Sequence, residues 1–336
     1  MRLMILAVFS LFSIASLQAK EGAEKVYKIK WVLAHEPIGL FKEAAEVFTK
    51  EVTAKTNGKV AIEVLTLPEY ETKYNKSNKV LQKAFLKKIQ DGQIEMSQTY
   101  TTTLGEVSTP MFALDLPYLF RDHDHAKKVL EGSVGDELLN GLVASKIRGL
   151  AFTYSGGFRI IPGTKAITKM EDFKGVKIRT SGSPVAQETF NILGAKAVPM
   201  GLDSIDNGIR SGKINEAEST YARYFTLGQN QVAKQVNETN HSLFLTSIIV
   251  NEKFWSTLPD DYKVIMKEAA VNAARVERDH SIKDGEAIKK RCAENGIKIN
   301  TLNQEEENRM KAALQPVYKK YSPIVGSKLV ASILAQ

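Results

Sequence analysis

From Tyr27 the chain alternates polar and apolar residues and then turns apolar (YKIKWVLA), as a strand does when it enters a core. Phe41, Ala44, Ala45, Phe48 and Val52 follow at helical spacing, and Asn57-Gly58, which tolerate the turn geometry required, end that helix. The pattern predicts a second strand over 59–67, a helix marked by Leu81, Phe85, Leu86 and Ile89 that stops near Asp91-Gly92, and a third strand over 94–99. It resumes at Leu150 with strands over 150–154, 176–179, 197–200 and 214–218 and helices over 184–193 and 204–209. From Leu258 the text is helical, with Tyr262, Ile265, Met266, Ala269 and Ala273 on one face. Strands alternating with helices predict an α/β fold of two successive units, each a mostly parallel sheet covered by helices. No short-period repeat and no low-complexity linker is present, so several crossing strands, rather than one hinge peptide, are expected to join the units.

A length of 336 residues suits two domains of ordinary size. The first residues differ from the rest. A basic start, the apolar run 4–17 and Gln18-Ala19-Lys20 read as a secretory signal over 1–19, cut after Ala19. With no cysteine nearby, a lipid anchor is not expected, and no later segment has the length of a membrane-spanning helix. Cys292 is the sole cysteine, so no internal disulfide forms and packing alone supplies stability. The net charge is +8 and its lysines and arginines are dispersed among acidic neighbours. That dispersal argues against nucleic acid as a partner and gives a modest field favouring anionic small ligands.

Enzymatic chemistry has little support. The chain lacks G-x-S-x-G, a phosphate-cradling G-x-x-x-x-G-K-[ST] and H-E-x-x-H, and residues 208–212 have the wrong spacing for a nucleophile elbow. Around His123-Asp124-His125, Asp122 and Asp124 precede an apolar helix, where Asp reads as an N-cap, while a zinc site needs more ligands than the segment offers. No cofactor and no metal are expected.

One constellation carries more. Tyr154-Ser155-Gly156-Gly157-Phe158-Arg159 leads through residues 169–175 (KMEDFKG) into Val176-Lys177-Ile178-Arg179; then come Asn191-Ile192-Leu193-Gly194-Ala195, Val198-Pro199-Met200 and Ile214-Asn215-Glu216-Ala217-Glu218. This run resembles the ligand-contacting segment of the solute-binding subunits of tripartite ATP-independent periplasmic (TRAP) transporters. Residues 116–126 (LPYLFRDHDHA), Thr239-Asn240-His241 and the FW-x-x-LP of 254–259 fit the same family, so the resemblance runs from about Tyr27 to Met310. It implies a two-lobed periplasmic binding protein whose lobes, joined by crossing strands and a long helix, are 20–156 plus 245–285 and 157–244 plus 286–336. It implies capture of a small carboxylate-containing organic acid, delivery to integral membrane TRAP subunits, a periplasmic location and a monomer. Arg179 occupies the position that pairs with the ligand carboxylate, and Arg159 that of a second contact. Tyr100 and Gln82 fall where members place polar contacts from the first lobe, and Glu218 and Ser219 match the glutamate and asparagine that follow.

The residues themselves support the assignment. Arginine offers a planar donor fork that meets a carboxylate with two parallel bonds and stays charged at working pH. His35 follows the first strand, at the end where open α/β sheets gather ligands. Tyr154 opens the segment leading to Arg159 and completes the candidate set. Several departures bear on which acid is bound: Asn215-Glu216 replaces the usual Asp-Gly, Ser219 the asparagine, Asp206 an aromatic, and Ile160-Ile161-Pro162-Gly163 a more polar run. Two other functions compete: a ligand-presenting extracellular sensor, and a periplasmic lyase or hydrolase using Asp206 or Glu218 as base.

Overall fold

A computed structural model describes residues 25–336; the expected signal over 1–19 lies outside them. Among the described residues, eleven strands form two mixed sheets. In chain order they are β1 (Tyr27–Leu33), β2 (Val60–Thr66), β3 (Met96–Tyr100), β4 (Ile147–Phe158), β5 (Ile161–Gly163), β6 (Lys177–Thr180), β7 (Lys196–Pro199), β8 (Glu216–Ala217), β9 (Gln235–Glu238), β10 (Leu243–Asn251) and β11 (Lys298–Thr301). The first sheet has the order β2-β1-β3-β10-β4, the second β11-β9-β5-β8-β6-β7. Each keeps the parallel run expected of strand–helix alternation, β2-β1-β3 in one and β8-β6-β7 in the other. Each also takes in antiparallel neighbours: β10 lies against both β3 and β4, and β5 against both β8 and β9.

Local chemistry sets the boundaries. The first helix, Ile38–Lys55, buries Phe41, Ala44, Ala45, Phe48 and Val52 against the first sheet. It ends where Asn57 and Gly58 take positive φ angles of 48° and 75°, a conformation that glycine adopts without steric cost. Asp122 caps the helix His123–Leu130, its carboxylate accepting the His125 N–H at 2.7 Å. Trp31 packs edge-on against Phe48, with ring centroids 5.1 Å apart, which locks that helix to β1.

The lobes are joined in two ways. β4 runs through Arg159 and Ile160 into β5, and β9 runs through 239–242 into β10, so two strand pairs cross between the sheets. The helix Asp260–Glu294 spans both units. Its small residues Ala269, Ala270, Ala273 and Ala274 allow close approach to the first sheet, while Ile288 and Cys292 pack with Tyr221, Tyr224 and Val236 in the second lobe. Burial raises the Cys292 thiol to about 11, which leaves it a packing residue. Near the C-terminus the helix Gln315–Val325 also touches both: the Tyr318 hydroxyl donates to Pro117 O and that of Tyr321 to Pro184 O.

Candidate functional site

The strands β3, β6 and β7 end at Tyr100, Thr180 and Pro199, and between these ends lies a cavity of about 620 Å³. That volume suits a small ligand, and the carboxyl ends of parallel strands are where such folds bind them. Arg179, the penultimate residue of β6, lines the cavity with only 5% of its surface exposed. Its Nε donates to Met200 O at 2.9 Å and its guanidinium reaches Glu218 O at 3.4 Å. Both partners are neutral carbonyls, and among the described residues no carboxylate forms an ion pair with it. Burial pulls its pKa down to about 10, with Glu218 opposing the shift, so the group is still charged at neutral pH.

Behind Arg179 lies a buried polar layer. Ile160 and Ser219 exchange both backbone hydrogen bonds, 3.0 and 2.9 Å, which sets Arg159 beside Glu218. Arg159 Nε and Glu218 Oε1 stand 3.3 Å apart with side chains 2% and 1% exposed. The Arg159 guanidinium also stacks 3.6 Å from the Phe244 ring centroid. Burial alone would raise the Glu218 carboxyl, but Arg159, His241 and Arg179 together draw it down to about 2. Ser219 Oγ donates to Gln229 at 2.8 Å. Arg159, Glu218 and Ser219 therefore form an internal network that does not line the cavity.

From the first sheet and the residues that follow β3 come Tyr100, Phe244, Thr102 and Thr103. The helix Gln82–Gln90 adds Leu86, Lys87 and Gln90 at the rim; the Gln82 side chain lies outside the described residues. His35 lies beside the main cavity. It lines an adjoining space of about 180 Å³ that shares Tyr100 and Leu202 with the larger one. Its Nε2 is buried without a hydrogen-bond partner, and burial next to Arg223 lowers its pKa to about 3, so the ring is neutral. Tyr154 is elsewhere: its hydroxyl meets His123 Nδ1 at 3.2 Å within the core.

Sequence reasoning missed Arg223. It follows β8 in the short helix Tyr221–Thr226, is 1% exposed and lines the cavity. Its guanidinium donates to Glu36 O at 3.0 Å and to the Tyr100 hydroxyl. It stacks on Phe244 at 4.4 Å and on Tyr100 at 5.0 Å, and its Nε has no partner. The available signal was the run Tyr221-Ala222-Arg223-Tyr224-Phe225, in which one cation sits among aromatics. A charge in such company is buried and needs a partner.

The departures from the family pattern find structural uses. Asp206 lies outside the cavity and pairs with Arg210 at 2.8 Å, half-exposed. Glu216 is buried and accepts the N–H groups of Thr164 and Lys165, while Asn215 accepts that of Lys177. Neither proposed base has the required setting. Asp206 does not line the cavity, and Glu218, held ionised by neighbouring cations, does not line it either. No group of three or more potential metal ligands occurs among the described residues.

The model of bacterial extracellular solute-binding proteins of family 7, DctP, matches residues 35–323. The C4-dicarboxylate-binding periplasmic protein DctP of Rhodobacter capsulatus is 28% identical over 297 residues, 88% of this chain and 84% of that protein. Among solved structures, a TRAP periplasmic solute-binding protein from Ochrobactrum anthropi, with its C-terminus bound in the ligand-binding pocket, has a TM-score of 0.84 at 26% identity. The match covers 93% of this chain and 94% of that one. A second, from Ralstonia eutropha with bound (S)-2-acetolactate, has a TM-score of 0.78 at 25% identity, covering 92% and 98%.

Proposed function

Because the chain belongs to the family 7 extracellular solute-binding proteins, the DctP-like receptors of TRAP transporters, we propose that it captures a small organic acid between its lobes outside the cytoplasm and passes it to TRAP membrane subunits. The observation that carries this reading is Arg179: buried, without an ion-paired carboxylate among the described residues, and facing a cavity of ligand size. A buried charge without a counterion is costly, and a bound carboxylate relieves that cost with two charge-assisted bonds.

Tyr100 and, through the side cavity, His35 supply hydroxyl and imidazole contacts; Gln82 supplies a further polar contact. Arg159, Glu218 and Ser219 hold the β6–β8 end in place, so that the Glu218 carbonyl orients Arg179. Tyr154 supports the crossing strand β4. The first lobe comprises 20–156 plus 245–285 and the second 157–244 plus 286–336, with the C-terminal helices of the latter also packing on Thr109–Asp115 and Ser133–Gly141 of the first. The protein acts as a monomer in the periplasm, sent there by residues 1–19. One relative is named for C4-dicarboxylates and another was solved with a monocarboxylate, so kinship leaves the number of acid groups open.

A thermal-shift screen of organic acids identifies the ligand, since selective binding to the folded state raises the melting temperature. Arg179→Ala is then expected to cost about 2–5 kcal/mol of affinity by titration calorimetry, the scale for truncating one partner of a desolvated charge pair. Unchanged affinity would overturn the assignment.

A further inference from the structure

The space of about 180 Å³ beside the main cavity differs from it in chemistry. Leu67, Val80, Phe85 and Leu202 give it apolar walls, and its polar lining comes from Glu36, Tyr100 and His35. The first two are already engaged. The Tyr100 hydroxyl donates to Glu36 O at 2.7 Å and accepts the Glu36 N–H and a bond from Arg223. The Glu36 carboxylate accepts the Ile38 N–H at 3.0 Å. His35 is different: it is 5% exposed, and its Nε2 is buried with no partner among the described residues. A buried polar nitrogen left unpaired costs free energy that a ligand atom can relieve. Resting on the solute-binding reading above, we propose that this side space is a subsite of its own: it takes an uncharged, ring-sized apolar tail of the bound acid, and the His35 imidazole bonds to a single polar substituent on that tail.

The wall selects against other tails. The His35 ring is neutral, so it does not attract an acid group, and the Glu36 carboxylate on the same wall repels one. A chain of hydroxyls would be desolvated there with only the imidazole to bond to, because every buried hydroxyl needs a partner. An apolar ring meets suitable neighbours. The His35 ring centroid lies 4.3 Å from that of Tyr100 and 5.7 Å from that of Phe85, so three rings with tilted and edge-on packing already line the space. A further ring packs well in such company. The subsite also draws on both sheets. His35 and Tyr100 stand at the ends of β1 and β3, while Leu202 follows β7. A tail seated there touches both sides, which couples its recognition to closure. Tyr100 and Leu202 also line the main cavity, so a tail reaches the side space while the carboxylate stays at Arg179.

The test uses acids that share a carboxylate and differ in the tail: acetate, gluconate, phenylacetate, and 3- and 4-hydroxyphenylacetate, compared by titration calorimetry at fixed pH and ionic strength. The native protein should bind phenylacetate roughly tenfold or more tightly than acetate or gluconate, a modest share of what burying a ring supplies. At least one hydroxyphenylacetate should bind about threefold or more tightly than phenylacetate, the scale of one hydrogen bond. His35→Phe should abolish that second gain and keep the first. Leu67→Asn, at a half-buried position that lines only the side space, should weaken phenylacetate about fivefold or more and leave acetate within about twofold. Several results overturn the proposal: gluconate binding as tightly as phenylacetate, no gain of phenylacetate over acetate, a hydroxyl gain that survives His35→Phe, or both variants weakening every acid alike, as a role confined to the fold would require. If acids bind with an Arg179-dependent affinity but without a preference for the ring, only the subsite falls. If Arg179→Ala changes nothing for any bound acid, the solute-binding reading falls with it.

Discussion

Buried carboxyl groups in this protein divide into two kinds, with opposite consequences for pH. Glu218 has cationic neighbours and is pulled down to about 2, so its stabilising contribution is present above the ordinary glutamate range and lost as pH falls toward 2. Glu277, on the long helix, has no exposed surface. It accepts the Tyr154 N–H at 2.7 Å and the Ser281 hydroxyl at 2.9 Å. Burial pushes it up to about 8, so the folded state keeps a proton that the unfolded chain releases above the ordinary glutamate value of 4.5. Its contribution is complete below that value and is lost as pH rises to about 8, and Glu216, also raised to about 8 by burial, behaves the same way. Glu277→Gln preserves the shape and removes the titration. Urea unfolding at pH 5 to 8 should then show a shallower alkaline decline, reduced by at most about 1.4 kcal/mol per pH unit. Equal slopes in the two proteins would mean that this carboxyl is ionised in the fold.

Among the elements, β4 does most to position the site. It bends at Gly156 and Gly157, with φ of 92° and 82°, before delivering Arg159. A Cβ on Gly156 would stand 2.4 Å from Thr220 Oγ1 and 2.8 Å from the Ala222 Cβ, in the segment that carries Arg223. Gly156→Ala should cost about 2–4 kcal/mol through strain and overpacking, measured by chemical denaturation, and should weaken ligand binding as Arg223 is displaced. Unaltered stability would show that the two segments yield freely. The elements found by periodicity alone, such as the helices Ile38–Lys55 and Pro184–Ile192, have one buried face and sharp ends. The strand β10 was not legible in that way. It is buried along its whole length, so it shows neither alternation nor a polar face, and it inserts antiparallel between β3 and β4 from far along the chain.

For the whole molecule, the cavity lies between lobes joined by crossing strands and one long helix, and such joints permit hinge motion. Ligand binding is expected to favour the closed arrangement, because an acid bound as proposed would bridge Arg179 of one lobe and the Tyr100 face of the other. Small-angle scattering at saturating ligand should therefore give a smaller radius of gyration than the ligand-free protein. An unchanged radius would place the closed form already dominant without ligand and remove closure from the mechanism. The contacts of Tyr318 and Tyr321 with Pro117 and Pro184 tie the lobes together at the C-terminal helices.

Periodicity, turn residues and the spacing of Arg159 and Arg179 were enough to determine the α/β class and the two units and to single out Arg179, which the structure places in the cavity wall, because each depends on local pattern or on a motif contiguous in the chain. Which arginine faces the cavity was decided only in three dimensions. Arg159 and Glu218 lie 59 positions apart in the numbering, and the pairing of Ile160 with Ser219 brings them together and turns both inward. Arg223 reaches the cavity because β10 places Phe244 beneath it and β3 places Tyr100 beside it. Neutralisation of a charge depends on its neighbours in space, and for these side chains the neighbours come from strands remote in sequence.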